Sequence, residues 1–328
     1  MSALLTDWGT TPSGEDVTHI ELGSDHVRLG ILTWGATVQS LTAPDSAGRW
    51  ADVVLGFDTL DQYVGEHPFI GSTVGRYANR IAAASFELDG VRHDIPANDG
   101  RHTLHGGPDG FGRRNWELVA HDDSSARLRL VSPADDMGFP GRLEVTTVFR
   151  VDGSVVTQET TATSDAPTVV NLTNHAYFNL TAATALVDDH VLMLKAGSYL
   201  RVDATGIPLP GPPTPVADTS FDFREPRVIG PAPYDHTFVL DGPITLSAGG
   251  RTLTVTTTEP GVQLYTGDHL DGRLTGRAGV LRARTGVCLE TQHYPDSPNR
   301  PDYPSTVLRP GETYLTRTDW QVRPTGRE

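Results

Sequence analysis

Short runs of β-branched and aromatic residues recur along this chain, separated by turn-forming pairs. Examples are HIELGSDHVRLGILTWG (19–35), RLEVTTVFRV (142–151), SVVTQETTAT (154–163) and RTLTVTTTE (251–259). Asp89-Gly90, Asp152-Gly153 and Asp241-Gly242 sit between such runs, where hairpin turns are expected. Helical periodicity is scarce, and residues 58–64 (DTLDQYV) are the one short helix expected. Strand following strand without intervening helices predicts an all-β fold, a large antiparallel β-sandwich. No repeat or flexible linker interrupts it, so residues 1–328 are expected to form one domain. The proline-rich IPLPGPPTP (207–215) reads as an ordered surface loop.

One run departs from the plain pattern. In NLTNHAYFNL (171–180), a period of two places Asn171, Thr173, His175, Tyr177 and Asn179 on one face. Leu172, Asn174, Ala176, Phe178 and Leu180 fall on the other. The second face can pack a core; the first faces water or lines a polar pocket. Four further stretches are too polar for their setting. They are GRYANRI with Arg76, Asn79 and Arg80, HTLHGG with His102 and His105, YDHTFVL with Asp235 and His236, and VCLETQ with Glu290. A carboxylate inside a strand-like run needs solvent or a partner, because an unpaired buried carboxylate is costly. Each also has an ordinary reading: a hydrogen-bonded sheet histidine, a wet-face glutamate, a structural ion pair. For His102 and His236 that ordinary reading leads. Together, a histidine and a carboxylate make an acid–base pair near neutral pH. Arginine, asparagine and glutamine add donors suited to sugar hydroxyls, and Tyr177, Tyr265 and Phe178 can offer an apolar face.

Composition narrows the classes. Lysine and arginine number 26 against 41 aspartates and glutamates, a net charge of −15. With no basic cluster, nucleic acid and anionic membrane are not expected partners. Cys288 is the only cysteine, which excludes an internal disulfide. No apolar run of about 18 residues is present, and the opening MSALLTDWGT lacks the features of a secretion signal, so the cytoplasm is expected. The sequons at Asn171 and Asn179 then carry no glycosylation meaning. His102 and His105 are not accompanied by a metal-ligand spacing. No phosphate loop, nucleophile elbow or cofactor lysine motif is evident.

Ten stretches, in order, resemble the aldose 1-epimerase (galactose mutarotase) family. They are VVLGFDTLDQY, GSTVGRYANRIA, TLHGGPDGF, GFPGRLEV, NLTNHAYFNL, TSFDFRE, YDHTFVL, EPGVQLYTGDHLDG, CLETQHYPDSPN and LRPGETY. The resemblance implies a mutarotase-type β-sandwich with no cofactor and no metal. It implies interconversion of the α and β anomers of free aldohexoses such as glucose and galactose, by a monomer or homodimer. By motif, Glu290 takes the general-base position, His175 the general-acid position, and His105 that of the second active-site histidine. Asn79, Arg80, Asp235 and Gln263 fall on sugar-contacting positions. The polar face of 171–180 would then line the sugar pocket. Two departures stand out. GIPLPGPPTP (206–215) replaces the family's IPTGE-like loop, and YTGD replaces YTGN, which brings Asp268 and His269 near the site. Three rivals are weighed beside this reading: a hexose-phosphate epimerase-like protein using Arg76 and Arg80, a sugar-binding regulator without turnover, and a glycoside hydrolase with Glu290 and Asp235 as its carboxylates.

Overall fold

A computed structural model describes residues 3–326. Among them, three antiparallel sheets carry most of the strands. The largest has nine strands, in the order 117–121, 125–132, 143–152, 155–164, 314–324, 251–257, 244–248, 191–194 and 227–228. A five-stranded meander runs from Leu4–Thr10 to Trp50–Asp52. The third sheet has six strands, in the order 177–178, 287–292, 261–265, 235–239, 198–199 and 214–215.

Long strands of the nine-stranded sheet alternate as a half-buried sheet must. Leu143, Val145, Thr147, Phe149 and Val151 are buried, while the residues between them are partly or fully exposed. One core joins all three sheets: Ile20, Leu29 and Leu41 from the meander, Leu128, Phe149 and Trp320 from the large sheet, Phe178, Leu264 and Leu289 from the six-stranded one. Two adjacent inner strands of that last sheet behave differently. Every residue of Gly261–Tyr265 and of Val287–Gln292 is buried, so both faces are covered. One face meets the core; the other carries the polar residues.

Most sequence expectations for local structure hold. Leu60–Val64 is a short α-helix. Asp89 and Gly90, at φ 51° and 78°, turn one hairpin, the conformation that favours Asp-Gly. Gly153 turns another. Asp241-Gly242 does not form a hairpin: the strand before it belongs to the six-stranded sheet and the strand after it to the nine-stranded one. The 207–215 segment is a largely exposed loop whose end, Thr214–Pro215, adds an edge strand.

The run 171–180 is not one strand. Thr173–Asn174 pairs with Thr73–Val74, and Tyr177–Phe178 pairs with Cys288 and Val287. All ten residues are buried. The chain threads between elements here, so each polar residue answers to a different neighbour. No helix among the described residues is long and apolar enough to cross a membrane.

Candidate active site

Register across the six-stranded sheet assembles the site. Tyr177 faces Cys288, Cys288 faces Tyr265, and Tyr265 faces Asp235. One step along, Glu290 faces Gln263, which faces Thr237. Because side chains alternate along a strand, residues two apart share a face, and this face is the polar one. His175, two residues before Tyr177, comes to lie beside Glu290. A second wall comes from the two-stranded pairing of Arg80–Ile81 with Thr103–Leu104, which sets Asn79 and Arg80 next to His105. Between the walls lies a cavity of about 120 Å³. Glu290, His175, His105, Asn79, Arg80 and Asp235 all line it.

Glu290 and His175 form its buried floor. His175 Nε2 stands 3.6 Å from Glu290 Oε1, too far for a good hydrogen bond. Glu290 Oε2 has no partner at all. Burial pushes the Glu290 carboxyl well above its ordinary range, Asp235 adds to this, and Arg80 opposes it. Burial also lowers His175, to about 4. Two groups whose proton affinities normally favour histidine are thus driven toward each other and past. The other nitrogen of His175, Nδ1, lies 3.5 Å from the Cys288 sulfur.

His105 is held by a reciprocal pair of bonds with Asn79. Its backbone N–H donates to Asn79 O at 3.0 Å, and its Nδ1 accepts from Asn79 N at 3.1 Å. Both residues sit at positive φ, 61° for Asn79 and 51° for His105, backbone strain of the kind that gathers at functional sites. With Nδ1 accepting, the neutral His105 ring carries its hydrogen on Nε2 and acts as a donor. Burial lowers its pKa well below the ordinary value, reinforced by His175 and Arg80. This tautomer bears on metal binding. Ligand atoms of His105, His175 and Glu290 lie within 4.8 Å of one another, a clustering that sequence spacing did not reveal. A metal needs a free lone pair from each ligand. On His105, one nitrogen is occupied and the other protonated, so the trio fits an oxygen-rich substrate better than an ion.

The remaining expected contacts divide. Asp235 is on the cavity wall, but Gln263 does not line it. Gln263 lies behind: its Nε2 donates to Asp235 Oδ1 at 2.6 Å, and its Oε1 accepts from Thr237 Oγ1. Of the polar face of 171–180, only His175 and Tyr177 reach the cavity. Asn171 bonds Ala78 and His293, and Asn179 bonds Ala185 and Thr285. Phe178, expected as part of the apolar face, packs in the core instead. His269 lines the cavity, whereas Asp268 turns away to pair with Arg284 at 3.1 Å. His102 and His236 stay outside it. Arg76 is 2% exposed and spends its guanidinium on Ser132, Pro133, Pro140 and Gly141. It is not available to a phosphate. Sequence reasoning missed Pro68, Phe69 and Leu104. The Phe69 ring lies 4.6 Å from that of His105. Phe69 sits in an irregular loop at φ 55°, where periodicity carries no signal.

A sequence model of the aldose 1-epimerase family matches residues 18–321. The chain is 39% identical to the galactose mutarotase of Homo sapiens, covering 95% of this chain and 96% of that protein. It is 37% identical to the aldose 1-epimerase of Escherichia coli K12, over 89% and 90%. Its fold is similar to the crystal structure of the GalM/aldose epimerase homologue from C. elegans, with TM-score 0.89, 32% identity, and coverage of 93% and 98%. It also resembles galactose 1-epimerase from Lactobacillus acidophilus NCFM, with TM-score 0.86, 28% identity and 98% of each chain covered.

Proposed function

The chain belongs to the aldose 1-epimerase family and is a mutarotase, and we propose that Glu290 and His175 are the base and acid of its reaction. The supporting observation is the open pair on the cavity floor: a carboxylate oxygen without a partner and an imidazole nitrogen 3.6 Å from its neighbour. The hemiacetal of an aldose presents two oxygens on one carbon, the C1 hydroxyl and the ring oxygen O5. Such a pair of oxygens can satisfy both protein groups at once.

Glu290 removes the proton from the C1 hydroxyl while His175 donates one to O5. The C1–O5 bond breaks, the C1–O1 bond becomes a carbonyl, and the open-chain aldehyde is released from its ring constraint. Rotation about C1–C2 turns the other carbonyl face toward O5. His175 then takes the proton back from O5 as O5 attacks C1, and Glu290 returns its proton to O1. The ring closes as the other anomer. Across the cycle the pair keeps one proton and passes it between two states, Glu⁻/HisH⁺ and GluH/His. Burial raises one group and lowers the other, which reverses the proton's ordinary preference for histidine in the empty site, and the pair reaches its Glu⁻/HisH⁺ state when sugar oxygens supply the missing hydrogen-bond partners.

His105 Nε2–H and the Arg80 guanidinium are fixed donors for oxygens that gain charge during ring opening. Asn79 and Asp235 hold hydroxyls, and Gln263 orients Asp235 from behind. Tyr177, Tyr265 and Phe69 give the ring an apolar surface. The substrates in this reading are free aldohexoses such as glucose and galactose, taken up by a monomer or homodimer working in the cytoplasm without a cofactor. Polarimetry on freshly dissolved α-D-galactose and α-D-glucose tests it. The native protein speeds the decay of rotation and Glu290→Gln does not. Equal acceleration by the variant removes Glu290 as the base, and no acceleration by the native protein on either sugar removes the assigned substrates.

A further inference from the structure

Arg80 reaches the cavity on a long, flexible side chain, yet its head group is held on two sides before any substrate arrives. Its Nε donates to Asp99 Oδ2 at 2.7 Å. The other support is bare backbone. A methyl group built on Gly206 would stand 2.8 Å from Arg80 Cζ, 2.9 Å from Nη1 and 3.0 Å from Nε. The guanidinium therefore lies directly against the Gly206 Cα, an approach that any side chain would block. Gly206 also stands at φ 80°, in the left-handed region.

The turn that carries Gly206 is closely tied. Asp203 Oδ1 accepts from the N–H and the hydroxyl of Thr205, both at 2.7 Å, and from Ile207 N–H at 3.2 Å. His102 anchors this turn to the opposite wall. Its Nδ1 accepts from Ala83 N–H at 3.0 Å, so its neutral ring has the hydrogen on Nε2. That nitrogen is 3.0 Å from Thr205 Oγ1, which has already given its own hydrogen to Asp203 and accepts here, while Arg101 Nε approaches the same nitrogen only at 3.5 Å. Donors and acceptors run in one direction, from Ala83 through His102 and Thr205 to Asp203. Ala83 follows the Arg80–Ile81 strand by two residues. The strand that carries Arg80 and the turn that seats its head group are thus joined through a histidine that lies outside the cavity.

We propose that the turn 203–207 is a positioning element for Arg80, with Gly206 as the seat of the guanidinium and His102 as the anchor of the turn. The inference rests on the reading of Arg80 as a substrate-facing donor. Such a donor stabilises growing charge only if it is already in place, because an arginine left free must lose its rotamer freedom at the moment of reaction.

The test is a mutant cycle, with kcat and KM for α-D-galactose read by polarimetry. Gly206→Ala lowers kcat/KM roughly ten- to a hundredfold, a displacement of about 1 Å in a positioned group costing up to about 10². Gly211→Ala is the matched control. Gly211 lies in the same loop at φ 108° with nothing within 4 Å of an added methyl, so it carries the backbone strain without the Arg80 contact. It keeps kcat/KM within twofold. Thr205→Val, which removes the acceptor for His102, gives a several-fold loss. In an Arg80→Ala background, neither Gly206→Ala nor Thr205→Val causes a further loss, because the group they position is gone. Native kcat/KM in Gly206→Ala, an equal loss in Gly211→Ala, or the same factor lost with and without Arg80 would each overturn the proposal. If Gly206→Ala fails to fold, Thr205→Val with and without Arg80 decides it alone. Native kcat/KM in Arg80→Ala by itself instead removes the reading of Arg80 on which the proposal stands.

Discussion

Two histidine–glutamate pairs meet at the strand Val287–Gln292, one through Glu290 on it and one through His293 just past its end, and they are built in opposite ways. His293 Nδ1 meets Glu259 Oε2 at 2.6 Å, and the other carboxylate oxygen accepts from the Tyr314 hydroxyl at 3.4 Å. Tyr314 in turn accepts from Leu172 N–H. That pair is closed: each oxygen has a protein partner. His175 and Glu290, by contrast, are held 3.6 Å apart, with one oxygen unpaired, at side-chain exposures of 5% and 3%. Residue type and burial are nearly the same in the two carboxylates. What differs is satisfaction. A closed pair contributes to the fold and has nothing left for a ligand. An open buried pair is costly to the fold and leaves polar atoms free for a ligand whose oxygens complete it.

Substitution of the open pair tests this contrast most strongly. Glu290→Gln and His175→Asn each lower kcat about 10²–10⁴-fold, the usual contribution of a positioned acid or base. The double variant loses far less than the product of the two factors, since the groups act as a unit. Polarimetry reads all three, and multiplicative losses would mean that the two residues work independently. For the closed pair the order reverses. Glu259→Gln leaves kcat within twofold but lowers stability by about 1–2 kcal/mol in chemical denaturation, since it loses the charge-assisted bond to half-buried His293. Glu290→Gln, which removes an unsatisfied buried acid, loses none and gains of order 1 kcal/mol at pH 8. Comparable destabilisation by both glutamine variants would erase the distinction drawn here.

The pH profile sharpens the same point. His175 is lowered to about 4 by burial, so adding a second proton to the pair requires acid well below the ordinary histidine range. Glu290 is raised, so stripping the last proton requires a pH well above the ordinary carboxylate range. The sign of both shifts widens the plateau: kcat/KM falls in acid as pH drops toward 4 and is flat above about pH 5, until Glu290 gives up its proton. An acid limb centred near pH 6.5 would mean that His175 titrates as an exposed histidine and that burial is not shaping the pair. The smallest effect belongs to Gln263. Gln263→Ala raises KM several-fold with kcat nearly unchanged, the scale of about 1 kcal/mol for one lost hydrogen bond to Asp235. A loss confined to kcat would place Gln263 with the acid–base pair instead.

Much of the molecule was legible in residue order. Runs such as RLEVTTVFRV become strands because period-two alternation is enforced locally, by a pleat with one wet face. Asp89-Gly90 turns a hairpin because its backbone requirement is local too. Asp241-Gly242 misled for the complementary reason: the same turn chemistry serves a crossover between sheets, and only strand pairing distinguishes them. In 171–180, alternation correctly separated Phe178 and Leu180 from His175 and Tyr177. It could not tell which polar residues meet the cavity, because Asn171 and Asn179 are consumed by backbone groups more than a hundred positions away, at His293 and Thr285.

By its own order, then, the sequence determined the all-β class, most of the strands, and through its motifs the two residues proposed as the acid–base pair. Those properties depend on contacts between near neighbours or on residue types that the chemistry demands. Tertiary structure alone decided which of two histidine–glutamate pairs is left open. It set Gln263 behind Asp235 rather than against the sugar, and it brought Phe69 to the rim and Gly206 to Arg80. Each of these turns on a distance of an ångström or less between residues far apart in the chain, and such distances are set by sheet register and loop anchoring.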